Sequence, residues 1–195
     1  MINITSESID ALLDALGEQL AIRNERYELV VIGGSALLAL GLTERTTKDV
    51  DIVALRSAAG LDKAKPLPEG LRDARDRVAR DFSLDPEWLN PGPADFLDFE
   101  LPTGFIDRLE RHDYGPALVV YFASRLDQIH FKLYAAVDEG GPGKHASDLQ
   151  ALDPTAAELV AAARWSQTHD PSTGYAQELK GALEFFGVQD VDLST

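Results

Sequence analysis

A chain of 195 residues with 45% hydrophobic and 26% charged residues has the make-up of one well-cored globular domain, or of a catalytic domain with a small helical appendage; that composition excludes a fibrous or disordered polymer. The absence of cysteine excludes disulfides, thiolate zinc sites and cysteine nucleophiles, and fits a reducing compartment such as the cytoplasm. A formal net charge of -15 excludes a protein that coats nucleic acid with its whole surface, because such binding neutralises phosphates with Lys and Arg.

In chain order, Ser6 to Ile22 carries Ile9, Leu12, Leu13, Leu16 and Leu20 at the spacing of an amphipathic helix, with Thr5 or Ser6 as the expected N-cap. The N-terminal MINITSESIDALL has no basic stretch followed by an apolar run, and Leu29 to Leu42 is too short and too glycine-interrupted to span a bilayer, so no targeting or membrane segment is expected. Glu28 to Ile32 is a short β-branched run that ends in Gly33-Gly34. Ser35 then opens an apolar segment that Gly41 can terminate, and the stretch reads as strand, tight turn, short helix.

Asp49 to Leu55 alternates acidic and apolar residues and then runs apolar, as a strand with one face on the core does. Residues 57–67 read as a loop leading to a helix with Pro68 at its first position. The segment DPEWLNPGPADFLDF reads as irregular with one short strand, and Ala117 to Ala123 as a third strand. Ser124 caps a helix through Val137, with Lys132 off the centre of its apolar stripe. After the linker EGGPGKH come helices over His145 to Leu152, Pro154 to His169 and Pro171 to Phe186, with Asp153-Pro154 and Asp170-Pro171 as caps and Gly187 as a stop.

Charge is unevenly spread: nine of the 18 Lys and Arg residues lie between Arg45 and Arg80 against six acids, giving +3 there and -18 elsewhere. Such a run is most simply a solvated helix face, and it also offers a local surface for an anionic substrate. The four histidines, His112, His130, His145 and His169, show no ligand spacing.

The chemistry concentrates in Gly34-Ser35, thirteen residues, then Asp49-Val50-Asp51. Residues i and i+2 of a strand project from one face roughly 6 to 7 Å apart along the chain, so both carboxylates converge on one site. Hard divalent cations such as Mg²⁺ take carboxylate oxygens, and paired ions for in-line phosphoryl transfer lie about 3.5 to 4 Å apart. Gly33 and Gly34 let backbone N–H groups approach a triphosphate, and Ser35 adds a hydroxyl donor.

In this order the elements resemble the signature of the nucleotidyltransferase superfamily related to the catalytic domain of DNA polymerase β. They most resemble its AbiEii/MenT-like branch, which includes toxins of toxin-antitoxin systems. The approach to the strand, Arg45-Thr46-Thr47-Lys48-Asp49-Val50-Asp51, matches that branch's R-x-T-x-D-x-D, and IHFKLYAAVDEGGPGKHASDLQAL resembles its downstream lysine and aspartate element. The resemblance covers roughly residues 28 to 152.

The resemblance implies an α/β fold, a small mixed β-sheet flanked by helices, with residues 1–152 catalytic and a helical region 153–195 packed on them. It implies Asp49 and Asp51 as ligands of Mg²⁺ (Mn²⁺ in its place), and Gly33, Gly34, Ser35, Arg45, Lys48, Lys132 and Asp148 as nucleotide-facing. The partners it implies are a nucleoside triphosphate, an acceptor such as the 3′ end of tRNA or another structured RNA, and a cognate antitoxin. Many relatives take a third carboxylate from a neighbouring strand; ALVVYFA has none, which leaves Asp95, Asp98 and Glu100 as candidates, and the basic residues before the late aspartate reduce to Lys144 and His145. Taken alone, Lys132 reads as a surface lysine with its stem on apolar neighbours, and Asp148 as a first-turn acid. Trp88-Leu89-Asn90 resembles a recurrent element of related sequences, and its plain reading is an aromatic core anchor followed by a turn.

Two other classes compete. A catalytically inactive nucleotide-binding or antitoxin-like regulatory protein would share the fold, but the intact Asp49 and Asp51 argue against it. A dinucleotide-binding oxidoreductase fails because VVIGGSALLALG lacks G-x-G-x-x-G.

Overall fold

The computed structural model describes residues 2–140, 143–189, 191 and 193. By packing the chain falls into two units, Met1–Asp98 with Ile106–Ala123, and Phe99–Phe105 with Ser124–Thr195.

The first unit is a mixed six-stranded sheet with helices. Its elements are α1 (Ile9–Ile22), β1 (Tyr27–Ile32), α2 (Gly33–Ala39), β2 (Val50–Ser57), β3 (Gly60–Asp62), α3 (Glu69–Phe82), β4 (Leu89–Asn90), β5 (Glu110–Tyr114) and β6 (Leu118–Phe122). The order is β3-β2-β1-β6-β5, with β4 pairing beside β2. β1 runs antiparallel to β2 and parallel to β6, and the short β4 runs parallel to β2.

The alternation in these strands sends Leu29, Val31, Val50, Ile52, Leu118, Val120 and Phe122 into one core. The expected stripe of α1, Ile9, Leu12, Leu13, Leu16 and Leu20, meets them, joined by Leu71, Ala74 and Val78 of α3. Gly17 belongs to the same contact: a Cβ there would lie 2.3 Å from the carbonyl oxygen of Tyr114.

Several expectations shift. Ser8, not Thr5 or Ser6, occupies the N-cap of α1, because residues 5–8 close a turn in which Ser8 N–H donates to the Thr5 carbonyl at 3.1 Å. Pro68 is the N-cap of α3 rather than its first residue. Two strands carry no apolar alternation and so no sequence signal. β3 lies inside the expected 57–67 loop, and β5 (ERHDY) is a charged edge strand whose residues are mostly outside the core.

The second unit holds α4 (Arg125–Asp138), α5 (Lys144–Ala151), α6 (Ala156–His169) and α7 (Thr173–Phe185), with the segment Phe99–Phe105. Gly141 and Pro142 of the expected linker lie outside the described residues. Ser124 caps α4 as expected, its Oγ accepting from Asp127 N–H. The caps of α6 and α7 are Thr155 and Ser172, not the Asp-Pro pairs. Asp153 has φ +46, which a cap in extended conformation cannot take, whereas Thr155 and Glu158 form a reciprocal capping box. Trp165 organises the interior: its Nε1 donates to the Glu100 carbonyl at 2.7 Å and its ring meets Phe131 edge-on.

Arg125 ties three helices of this unit together. Its Nε donates to the Leu152 carbonyl at 2.8 Å, Nη2 to the Asp153 carbonyl at 2.7 Å and Nη1 to Glu158 Oε1 at 2.7 Å. The guanidinium, aided by Thr155, holds the Glu158 carboxyl down to about 2, against an ordinary 4.5. A carboxyl depressed on folding adds stability that is present above its unfolded value and lost as pH falls through its folded one. Glu158→Gln should therefore lower stability at neutral pH and flatten its fall between about pH 5 and pH 2, measured by urea unfolding at stepped pH; an unchanged slope would show that the pair contributes nothing.

Candidate active site

Backbone register builds the site. Ile32, last in β1, pairs with Asp51 in β2 and is itself the N-cap of α2, so the helix begins at Gly33 rather than at Ser35 after a separate turn, and its glycine start is delivered beside the Asp51 carboxylate. Gly33 has φ +79, and a Cβ there would stand 2.5 Å from Asp51 Oδ2, so conformation and contact both require glycine. A Cβ on Gly34 would lie 3.1 Å from Thr47 Oγ1 and 3.6 Å from Arg45 Nη2. The glycine turn and the approach to β2, far apart in sequence, thus meet without a side chain between them.

Within that approach, Thr47 pairs through its backbone with Ile4, and its hydroxyl donates to Asp49 Oδ1 at 3.1 Å. Asp49 and Asp51 are both half-buried, and Lys48, just before Asp49, is exposed. Arg45 Nη1 donates to the Thr46 carbonyl at 3.3 Å, which folds the guanidinium back along the approach. Ser35 is fully buried in α2, and its Oγ has no hydrogen-bond partner among the described residues. An enclosed hydroxyl without a partner costs about 1 to 3 kcal/mol, which an acceptor oxygen would recover. Reaching it requires the shell around Ser35 to open.

Asn90 is the site residue that sequence reasoning misses. β4 pairs Asn90 with Asp51, and the Asn90 amide donates to Asp51 Oδ1 at 2.8 Å. The signal lies in Trp88-Leu89-Asn90. Trp88 is the expected anchor, fully buried with its Nε1 donating to the Arg75 carbonyl at 3.1 Å, but Asn90 is a strand residue that faces the carboxylate rather than part of a turn.

The three candidates for a third carboxylate have other partners or lie in another unit. Asp95 and Asp98 are engaged by Lys63 at 2.9 and 2.6 Å, and Asp95 also by Lys65 at 2.7 Å. Those lysines hold the Asp95 carboxyl down to about 2. Glu100 belongs to the second unit. Among the described residues no group of three or more His, Asp and Glu side chains converges as a metal site would require. Asp49 and Asp51 remain as the expected pair, and two carboxylates would fit Mg²⁺, an ion commonly held by one or two carboxylates and completed by water and substrate phosphates.

The family comparison decides the class. Residues 10–141, well over half of the chain, match the family described as nucleotidyltransferases of unknown function, DUF6036. The chain belongs to that family. No curated protein and no solved structure matches it. As a DUF6036 nucleotidyltransferase it carries the glycine turn, both aspartates, Asn90 and Lys132 inside the matched span, with Asp148 beyond it.

Lys132 and Asp148 lie in the second unit, where the structure joins them to each other. Lys132 Nζ donates to Asp148 Oδ2 at 2.6 Å, and the two residues are 3% and 2% exposed. Lys132 is therefore not a surface lysine, and Asp148 is not a first-turn acid but lies one turn further into α5. His145, one turn before Asp148, has a buried Nδ1 without a partner; burial, together with Lys132 and Lys144, pushes its pKa down.

The burial decides what a substitution at Lys132 will do. Lys132→Met leaves Asp148 enclosed without its counter-charge and should cost about 3 to 5 kcal/mol, while Lys132→Met with Asp148→Leu should recover most of that loss. Chemical denaturation of the two variants checks it, and equal destabilisation by the single and the double change would show that the pair is not coupled.

Proposed function

We propose that this nucleotidyltransferase moves a nucleoside monophosphate from a nucleoside triphosphate to an acceptor hydroxyl, with residues 1–152 as the catalytic part and 153–195 a helical region. The observation that carries the reading is the closure of Gly33 on Asp51 and of Gly34 on Thr47 and Arg45, where missing Cβ atoms leave backbone beside the Asp51 carboxylate and the residues that lead to Asp49. Asp49 and Asp51 would hold Mg²⁺, or Mn²⁺ in its place, and the bound ion supplies charge neutralisation for the triphosphate. Gly33 and Gly34 offer backbone N–H groups to phosphate oxygens, and Arg45 and Lys48 bring positive charge to the same approach. Thr47 and Asn90 each hold one carboxylate oxygen, which fixes where the remaining oxygens lie. The acceptor hydroxyl attacks the α-phosphorus, its proton is lost, and pyrophosphate leaves. Lys132 and Asp148 enter through the resemblance, which assigns them to the nucleotide.

Asp49→Asn and Asp51→Asn should each lower transfer by roughly two orders of magnitude or more while leaving thermal unfolding nearly unchanged, because the amide keeps the shape and removes the charge. Purified protein incubated with each labelled nucleoside triphosphate and total RNA or protein reads this out. Full transfer by either variant sinks the assignment, and inactivity of the wild type toward every donor would favour an inactive nucleotide-binding or antitoxin-like protein.

The AbiEii/MenT-like resemblance takes the proposal further, to the 3′ end of a structured RNA such as tRNA as acceptor and to growth inhibition relieved by a cognate antitoxin. Arg72, Arg77 and Arg80 of α3 are exposed, interleaved with Glu69, Asp73, Asp76 and Asp81, and would offer RNA phosphates individual cations on an otherwise acidic protein. Induced expression of wild type in a bacterial host should slow growth and extend RNA 3′ ends, and Asp51→Asn should do neither. Equal growth and unmodified ends in both strains would leave a transferase with another acceptor.

A further inference from the structure

The tripeptide Trp88-Leu89-Asn90 does one mechanical thing. Trp88 and Leu89 are both fully buried, and the Trp88 carbonyl accepts from Val50 N–H at 2.6 Å, which pins β4 against the start of β2. Asn90 comes next in the chain, directly across from Asp51. Its amide is oriented from both sides. Oδ1 accepts from Gly92 N–H at 2.9 Å, and Nδ2 donates to Asp51 Oδ1 at 2.8 Å. A backbone N–H can only donate and a carboxylate can only accept, so the flipped amide would face a donor with a donor and an acceptor with an acceptor.

This orientation has two effects. Asp51 Oδ1 is held by a neutral donor, and that grip helps to fix the plane of the carboxylate and with it the direction of Oδ2, the oxygen that a Cβ on Gly33 would meet. In this arrangement the amide turns its protons to Asp51 and its oxygen to Gly92, so it adds no negative charge beside the carboxylate.

We propose that Asn90 is a positioning residue for Asp51, and that the amide at this place limits the protein's contribution to the cation site to two carboxylates. The inference rests on the reading of Asp49 and Asp51 as a divalent-cation site. A carboxylate at position 90 would keep the bond from Gly92 N–H and turn its second oxygen toward Asp51 as a like charge, a repulsion that a cation relieves.

Opposite signs at one position make the test. Mn²⁺ alone is titrated into the full chain and followed by electron paramagnetic resonance, with Asp51→Asn as the control that loses binding. Asn90→Ala should weaken Mn²⁺ binding about tenfold, the size expected when a hydrogen-bonding partner of a metal ligand is lost. Asn90→Asp should bind Mn²⁺ more tightly than wild type. Both should unfold within a few degrees of wild type, and a merely structural role for Asn90 would move affinity in the same direction in both. Mn²⁺ affinity within about twofold of wild type for Asn90→Ala, or weaker binding by both variants, overturns the inference while leaving the cation site standing. No Mn²⁺ binding by the wild type overturns the cation site and the inference with it.

Discussion

The constraint on which the site depends is the absence of a side chain at Gly33. The register that sets Ile32 opposite Asp51 brings the chain to a carboxylate oxygen at a distance that no Cβ tolerates, and the turn needed there has positive φ. Any other residue would push β1 and β2 apart or rotate Asp51 away. That one contact sets the direction of α2, the seat of Gly34 on Thr47, and the alignment of the approach to β2 with the turn. Backbone geometry thus places the two aspartates, while side-chain hydrogen bonds from Thr47 and Asn90 only refine them.

How much of this is legible in the sequence depends on whether the signal is local. The stripe of α1, the glycines that stop α2 and α7 at positive φ, and the aspartate pair leading into β2 are written in consecutive residues, and each lies where the pattern puts it. β5 is not, because an edge strand buries little and its five residues are mostly charged. The caps of α6 and α7 differ from expectation because Asp-Pro invites a cap, while the competing Thr155 and Glu158 box satisfies two donors at once. Asn90 is invisible for another reason: its partner is 39 residues away, and only the pairing of β4 with β2 brings the two together.

The basic segment between Arg45 and Arg80 shows how far net charge can mislead. Much of its positive charge is neutralised inside the first unit. Arg75 is nearly buried and bridges Asp76 and Glu87 at 2.9 and 3.0 Å, while Lys63 and Lys65 hold Asp95 and Asp98. The side chains of α3 that face solvent are Glu69, Arg72, Arg77, Arg80, Asp81 and Phe82, with Asp73 and Asp76 half-buried alongside. A count of +3 therefore describes neither a uniform ridge nor a neutral surface. Exposed pairs of this kind contribute little to stability, so their effect is on the field that an approaching anion meets.

The Lys132 and Asp148 pair poses the opposite problem. Its charges are nearly withdrawn from water, and the desolvation of two ions offsets most of their mutual attraction, so an apolar pair of the same volume would hold α4 against α5 at least as well. What the ion pair achieves and an apolar pair cannot is a fixed ammonium at a fixed place. Burial, with Lys132 and Lys144 nearby, also pushes the His145 pKa down, which disfavours a second cation beside Asp148. Changing either residue alone would leave the other enclosed without its counter-charge, so the two positions are tied to each other first of all.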